Sequence, residues 1–166
     1  VLDGIQREAL VTPSSVTSMA LLMSAKRGVH REELIRRIGF ILAMTSSKKA
    51  PLSKTLEHAM KLHRQSVVEA SEQLDQEGLS RHPLSLGQNG PVAEARGQAA
   101  VDAVDEVLHR YVEDKHLTSH DFGDAIVYTV VPERRIHLDY YKNSIVHLVM
   151  PETILAAAYH GASLRG

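Results

Sequence analysis

Apolar positions recur at helical spacing along most of the chain, with one β-rich stretch late in it. Thr12-Pro13-Ser14-Ser15 predicts a helix start: a Thr hydroxyl accepts from the first free amides, and Pro in the first turn loses no helical hydrogen bond. Val16, Met19, Ala20 and Met23 then share a face, and a stop is expected near Lys26-Arg27-Gly28. Val29-His30-Arg31-Glu32-Glu33 opens a second helix, in which Leu34, Ile35, Ile38, Ile41 and Leu42 form a buried stripe. Thr45 to Pro51 reads as a connection. Ser53 starts a long amphipathic stretch carrying Leu56, Met60, His63, Val67 and Leu74. His63 lies on its apolar stripe and reads as a hydrogen-bonded core or boundary histidine.

Glu77 to Pro91, dense in Gly, Pro, Asn and Ser, reads as an internal loop or linker at 77–91 within a single domain spanning 1–166. Val101, Val104, Leu108 and Tyr111 define another helix. Ala125 to Val131 (AIVYTVV) and Ile136 to Tyr140 (IHLDY) predict a β-hairpin joined by Pro132 to Arg135. A last, apolar helix is expected from Asn143 or Ser144 to about Tyr159, with Pro151 kinking it or opening a second one. The predicted class is α+β, mainly α: a helical domain with a β-hairpin in a winged-helix-like arrangement, closed by an apolar C-terminal helix.

Composition narrows the chemistry. With 19 Lys+Arg against 20 Asp+Glu the net charge is -1, so no global field draws the chain to nucleic acid or to an acidic membrane. Cysteine is absent, which removes disulfides, thiol catalysis and thiolate zinc sites. The opening VLDGIQREAL carries charges where a secretory signal has its apolar core. The chain starts with Val rather than Met and is expected to be part of something longer.

Candidate constellations are weak. His116, His120 and Asp124 are spaced i, i+4, i+8, but HLTSHDFGD reads as an irregular connection before a strand, and no metal is expected. His109 with Asp114, and His116 with Asp121, match the His-x4-Asp pair that some acyltransferases use. With ten His in the chain such spacings arise by chance, and His109 and Asp114 fall on different helix faces. There is no G-x-S-x-G turn, no phosphate-cradling glycine loop, and no cofactor is expected. The winged-helix layout raises nucleic-acid binding, with Arg31, Arg36 and Arg37 as candidate contacts, but the companion helix and strands add little positive charge.

The two ends of the chain carry a resemblance. IQREALVTPSSVTSMALLM and DYYKNSIVHLVMPETILAAAY are similar to the C-terminal region of the membrane-associated glycerol-3-phosphate acyltransferase family, whose dihydroxyacetone-phosphate relatives are close by. The matching features are Thr12-Pro13, Gly28-Val29, the expected hairpin, and Tyr141, Asn143 and His147 of a Y-x-N-x-x-x-H segment. The family's catalytic H-R-S-H-x-D-Y-like, G-x-x-F-I-R-R, F-x-E-G-T-R-S and V-P-I blocks are missing here. The resemblance therefore implies that no catalytic residue lies in this chain and that the catalytic domain is N-terminal to residue 1. Its partners would be that domain of the same polypeptide and a membrane interface on the cytoplasmic side, at a bacterial inner membrane or an organelle. The parent would move an acyl group from acyl-CoA or acyl carrier protein to glycerol 3-phosphate. The alternative is a winged-helix-like nucleic-acid-binding or protein-interaction module.

The segment from Ile145 to Ala158 is too short, and too interrupted by His147, Pro151 and Glu152, for a membrane span, which needs about 20 apolar residues. It reads as core, as a docking surface for the catalytic domain, or as interfacial membrane contact. Tyr140, Tyr141, Asn143 and His147 are the interface candidates. Asn143 and His147, four apart, are expected on one helix face, while Tyr140 and Tyr141, leaving a strand, are expected to point to opposite sides.

Overall fold

In the computed structural model of the chain, residues 10–23, 28–61, 100–123, 125–151 and 153–154 are described. The expected stop at Lys26-Arg27, His63 with the end of its stripe, the 77–91 linker and Asp124 lie outside them. The order of elements is α1 (Pro13–Leu22), β1 (Val29–His30), α2 (Arg31–Ser47), a helical stretch at 54–61, α3 (Val101–Glu113), β2 (Leu117–Asp121), β3 (Ile126–Val130), a 3-10 turn (Pro132–Arg134), α4 (Arg135–Asn143) and a helical stretch from 146. Three antiparallel strands pair in the order β1-β3-β2, the arrangement of a mainly helical winged-helix-like domain.

The start of α1 follows from its side chains. The Thr12 hydroxyl accepts from the Ser15 amide at 3.2 Å, the Ser15 hydroxyl accepts from the Thr12 amide at 3.0 Å, and Pro13 occupies the first turn. Before it, Val11 forms a parallel bridge to Leu52, with bonds of 2.9 and 2.8 Å to Pro51 and Ser53. The expected one-sided face of α1 is only part of its burial. Val16 and Ala20 are fully buried, but so are Ser15, Thr17 and Ser18, while Met23 is exposed. The helix packs against α2, α3 and, most extensively, α4. Ser18 lies 2.9 Å from the Tyr111 hydroxyl of α3, so its burial is satisfied across the interface.

In α2 all five residues of the predicted stripe are buried. The helix runs to Ser47, three residues into the expected connection, because Thr45, Ser46 and Ser47 turn their hydroxyls back onto carbonyls of the last turns. Lys49 (φ 54) and Lys115 (φ 58) then end α2 and α3 in the same way. Ala50 donates to Thr45 and Lys49 to Ser46, as His116 does to Tyr111 and Lys115 to Val112.

Gly28 earns its place through space. A Cβ there would lie 2.5 Å from Val127 Cγ1 and 3.0 Å from Thr129 Oγ1, so only glycine lets the chain enter β1 against β3.

The hairpin is not the predicted one. Ile126–Val130 is a strand as expected, but its partner is Leu117–Asp121, within the supposed irregular connection; Ile136–Tyr140 is helical. LTSHD offers one apolar residue, because β2 is an edge strand exposed from Thr118 onward. The alternation of Ile136, Leu138 and Tyr140 imitates a strand, yet only Leu138 turns inward, and Asp139 pairs with Arg135 and Lys142 at helical spacing.

Candidate docking face on the C-terminal helices

Helix α4 starts where Pro132 opens the 3-10 turn, and is held by a single fully buried side chain, Leu138, wedged against the core. Its flank is fastened by charge. Asp139 accepts from Lys142 at 2.6 Å and faces Arg135 at 3.6 Å, and these cations hold its carboxyl below the usual carboxylate range.

A row of rings joins α4 to the interior. Tyr111, buried in α3, lies 6.1 Å from Tyr141, which meets Tyr140 edge-on at 5.6 Å. On its other side Tyr111 meets His116 at 5.9 Å, and His116 stacks on His137 of α4 at 4.7 Å with 22° between the planes. Burial, then the neighbouring His137, push the His116 pKa down from its ordinary value. His116 Nδ1 is buried with no hydrogen-bond partner among the described residues.

The outward side of these elements is apolar. Ile136 and Tyr140, one helical turn apart on α4, are 73% and 77% exposed. Met150 and Ile154, again four apart, are 49% and 62% exposed. Of the nine large hydrophobic side chains exposed among the described residues, five fall between 136 and 154. The opposite side of the last stretch, Ile145, Leu148 and Val149, is buried, so this segment is core on one side and surface on the other. No helix among the described residues is long and apolar enough to cross a membrane.

The interface candidates are thus divided. Tyr140 is exposed and Tyr141 partly so, but both stand on a helix rather than at the end of a strand. Asn143 is exposed at the end of α4, and the turn at Ser144 and Ile145 separates it from the helical stretch holding His147, so the two share no continuous helix face. His147 is half-buried, with Nε2 unpartnered among the described residues. Thr12, Pro13 and Gly28 are structural, as described above.

The other constellations come apart. His109 sits on the exposed side of α3 with Glu113, while Asp114 caps that helix; His116 precedes β2 and Asp121 is its last residue. No group of three metal-binding side chains occurs among the described residues. The three candidate nucleic-acid contacts are engaged by carboxylates: Arg31 by Asp105, and Arg36 and Arg37 by Glu33. In a winged-helix order the helix before the hairpin is the one placed to enter a groove, and here that is α3, with Asp102, Asp105, Glu106 and Glu113 against Arg110.

A family model described as glycerol-3-phosphate acyltransferase C-terminal region matches residues 1–86 and 81–164. No curated protein and no solved structure matches the chain.

Proposed function

Because the chain belongs to the glycerol-3-phosphate acyltransferase C-terminal region family, we propose that it is the accessory part of a glycerol-3-phosphate 1-O-acyltransferase whose catalytic residues lie in a preceding domain of the same polypeptide. In that reading the parent transfers an acyl group from the thioester of acyl-CoA or acyl carrier protein to the 1-hydroxyl of glycerol 3-phosphate, releasing the thiol. This is an early step in making phospholipids. The enzyme works at a membrane, on its cytoplasmic side, where its amphiphilic product is used.

The chain's own task is to brace the catalytic domain through the outward face of α4 and the helical stretch after it. The observation that carries this is the exposure of Ile136 and Tyr140 on a helix whose other side is anchored by Leu138. Tyrosine and methionine are favoured at the centre of protein interfaces, where a large apolar body and a polar tip are both used. Lipid contact is the weaker reading for this face. Arg135 and Lys142, the cations beside it, pair with Asp139, which leaves little basic charge to attract anionic headgroups.

The winged-helix order of elements favours one other reading, a protein-interaction module without an enzyme attached. The acidic surface of α3 argues against duplex binding, since phosphates would meet carboxylates where a groove-reading helix supplies cations.

The test is the double substitution Ile136→Asp with Tyr140→Asp in the full-length parent enzyme. Charges at the centre of a docking face should lower acyl transfer by about tenfold or more. The isolated 166-residue chain should keep its melting temperature. Unchanged turnover in the double variant would remove the docking assignment.

A further inference from the structure

Away from α4, the hairpin and α3 enclose a cleft of about 420 Å³, which meets a second hollow of about 350 Å³ at the start of α2. The two share Arg31, Asp121 and Ile126, so they form one trough under the hairpin tip. Its apolar lining is Leu108 and Val112 from α3 and Ile126 from β3. Its charge is one-sided. Asp105, Asp121 and Glu32 face a single guanidinium, Arg31, which is held by Asp105 through bonds of 3.3 and 2.6 Å. Three carboxylates against one cation leave the trough at -2 with its histidines neutral, whereas the whole chain carries -1.

A second feature points to an occupant. Tyr128, 9% exposed, lines the cleft, and its hydroxyl makes no hydrogen bond to any described residue. The side chain is largely buried while its hydroxyl, able to donate and to accept, opens on the cleft and is available to a group that enters it. Burial and the Asp105 carboxylate push its pKa up, so the phenol remains protonated and its oxygen keeps its lone pairs for an incoming donor.

We propose that this trough binds an arginine or lysine side chain presented by an extended protein segment. The aliphatic stem lies along Leu108, Val112 and Ile126. The cationic head reaches Asp121 and donates to the Tyr128 hydroxyl. Anionic ligands are disfavoured by the excess of carboxylates. A protein segment is favoured over a free amine because β2 borders the cleft through Ser119 and Asp121, and its outer edge pairs with no strand among the described residues. That edge offers backbone groups to hold a main chain alongside the side chain. The site is independent of the role assigned to α4.

The experiment is an amide-resolved NMR titration of the 166-residue chain with acetyl-Ala-Arg-Ala-amide, with the isosteric neutral citrulline peptide, and with spermidine. The arginine peptide should shift Asp121, Ile126 and Tyr128 and bind about tenfold or more tighter than the citrulline peptide, as expected for a charge-assisted hydrogen bond. Asp121→Asn should remove most of that preference. The turn should survive, because asparagine retains the oxygen that accepts from the Gly123 amide at 2.7 Å. Tyr128→Phe should weaken the arginine peptide several-fold, by about the worth of one hydrogen bond. Equal binding of the two peptides, or no shift at these residues, overturns the site. Spermidine binding there more tightly than the arginine peptide overturns the protein source.

Discussion

Helices α1 and α4 lie against each other and are built on opposite plans. Seven of the ten residues of α1 are buried, including three that carry hydroxyls, whereas Leu138 alone is buried among the nine of α4. A helix closed in on most sides gets its stability from packing and from partners such as the Ser18 to Tyr111 bond. A helix held by one buried leucine and by ring contacts at Tyr141 and His137 leaves most of its other side chains exposed among the described residues. The contrast is between a structural stave, packed on most sides, and a helix packed on one.

The largest effects should fall on the core to which both helices contribute. Leu21→Ala in α1 and Leu138→Ala in α4 each remove a fully packed leucine, and each should cost about 2–5 kcal/mol in urea unfolding. Their unfolding slopes should differ. Leu21→Ala should leave the slope unchanged, while Leu138→Ala should lower it, because α4 can leave before the rest unfolds. Identical slopes would mean that α4 is as integral as α1, and the contrast would fail.

Next in size is Gly28, where the chain enters β1. Gly28→Ala places a Cβ 2.5 Å from Val127 Cγ1 and should cost about 1–3 kcal/mol by overpacking. Val127→Ala, which removes the obstructing methyl, should recover much of that loss in the double variant. Additive costs would show that the glycine is needed for some other reason.

These expectations also mark what the sequence made legible. The stripe from Leu34 to Leu42 repeats at helical spacing, and the Thr12-Pro13 start carries its cap within four residues, so both could be read locally. Strand β2 could not, since an edge strand exposed along most of its length has no alternation to display. Residues 136–140 misled for the reverse reason: Ile136, Leu138 and Tyr140 alternate like a buried strand face, although Ile136 and Tyr140 are exposed. The trough was hidden by distance along the chain, because Arg31 meets Asp105 across 74 positions and neither has a motif around it. Tyr140 and Tyr141, expected at the end of a strand, stand on a helix instead.

A smaller effect should appear with pH at the stacked histidines that tie α4 to the start of β2. The folded-state pKa of His116 is lowered, first by burial and then by His137. Arg134 acts in the same direction and Asp114 opposes them. The unfolded chain therefore takes up a proton more readily than the folded one. Stability is undisturbed above the ordinary histidine pKa of about 6.5, and falls as pH drops below it toward the lowered value. Thermal melts between pH 7.5 and 5 should show this slope, and His116→Gln should flatten it. The carboxylates with lowered values, Glu33 and Asp139, lose their pairing only at more acid pH. An unchanged slope in His116→Gln would place the titration elsewhere.

The smallest effect bears most directly on the contrast. Ile136→Ala and Tyr140→Ala remove large side chains from α4, yet both are mostly exposed, so each should change unfolding stability by no more than about 0.5 kcal/mol. Tyr140 touches Tyr141 edge-on, and that contact sets the upper end of the expectation. If these residues contribute nothing to the chain by itself, their apolar character is explained by a surface that covers them, and their cost should reappear when the whole enzyme is assembled. A loss of about 2 kcal/mol in the isolated chain would instead be the signature of a buried side chain. In that case the outward stripe would be part of the domain's own core, and α4 would be a second structural stave.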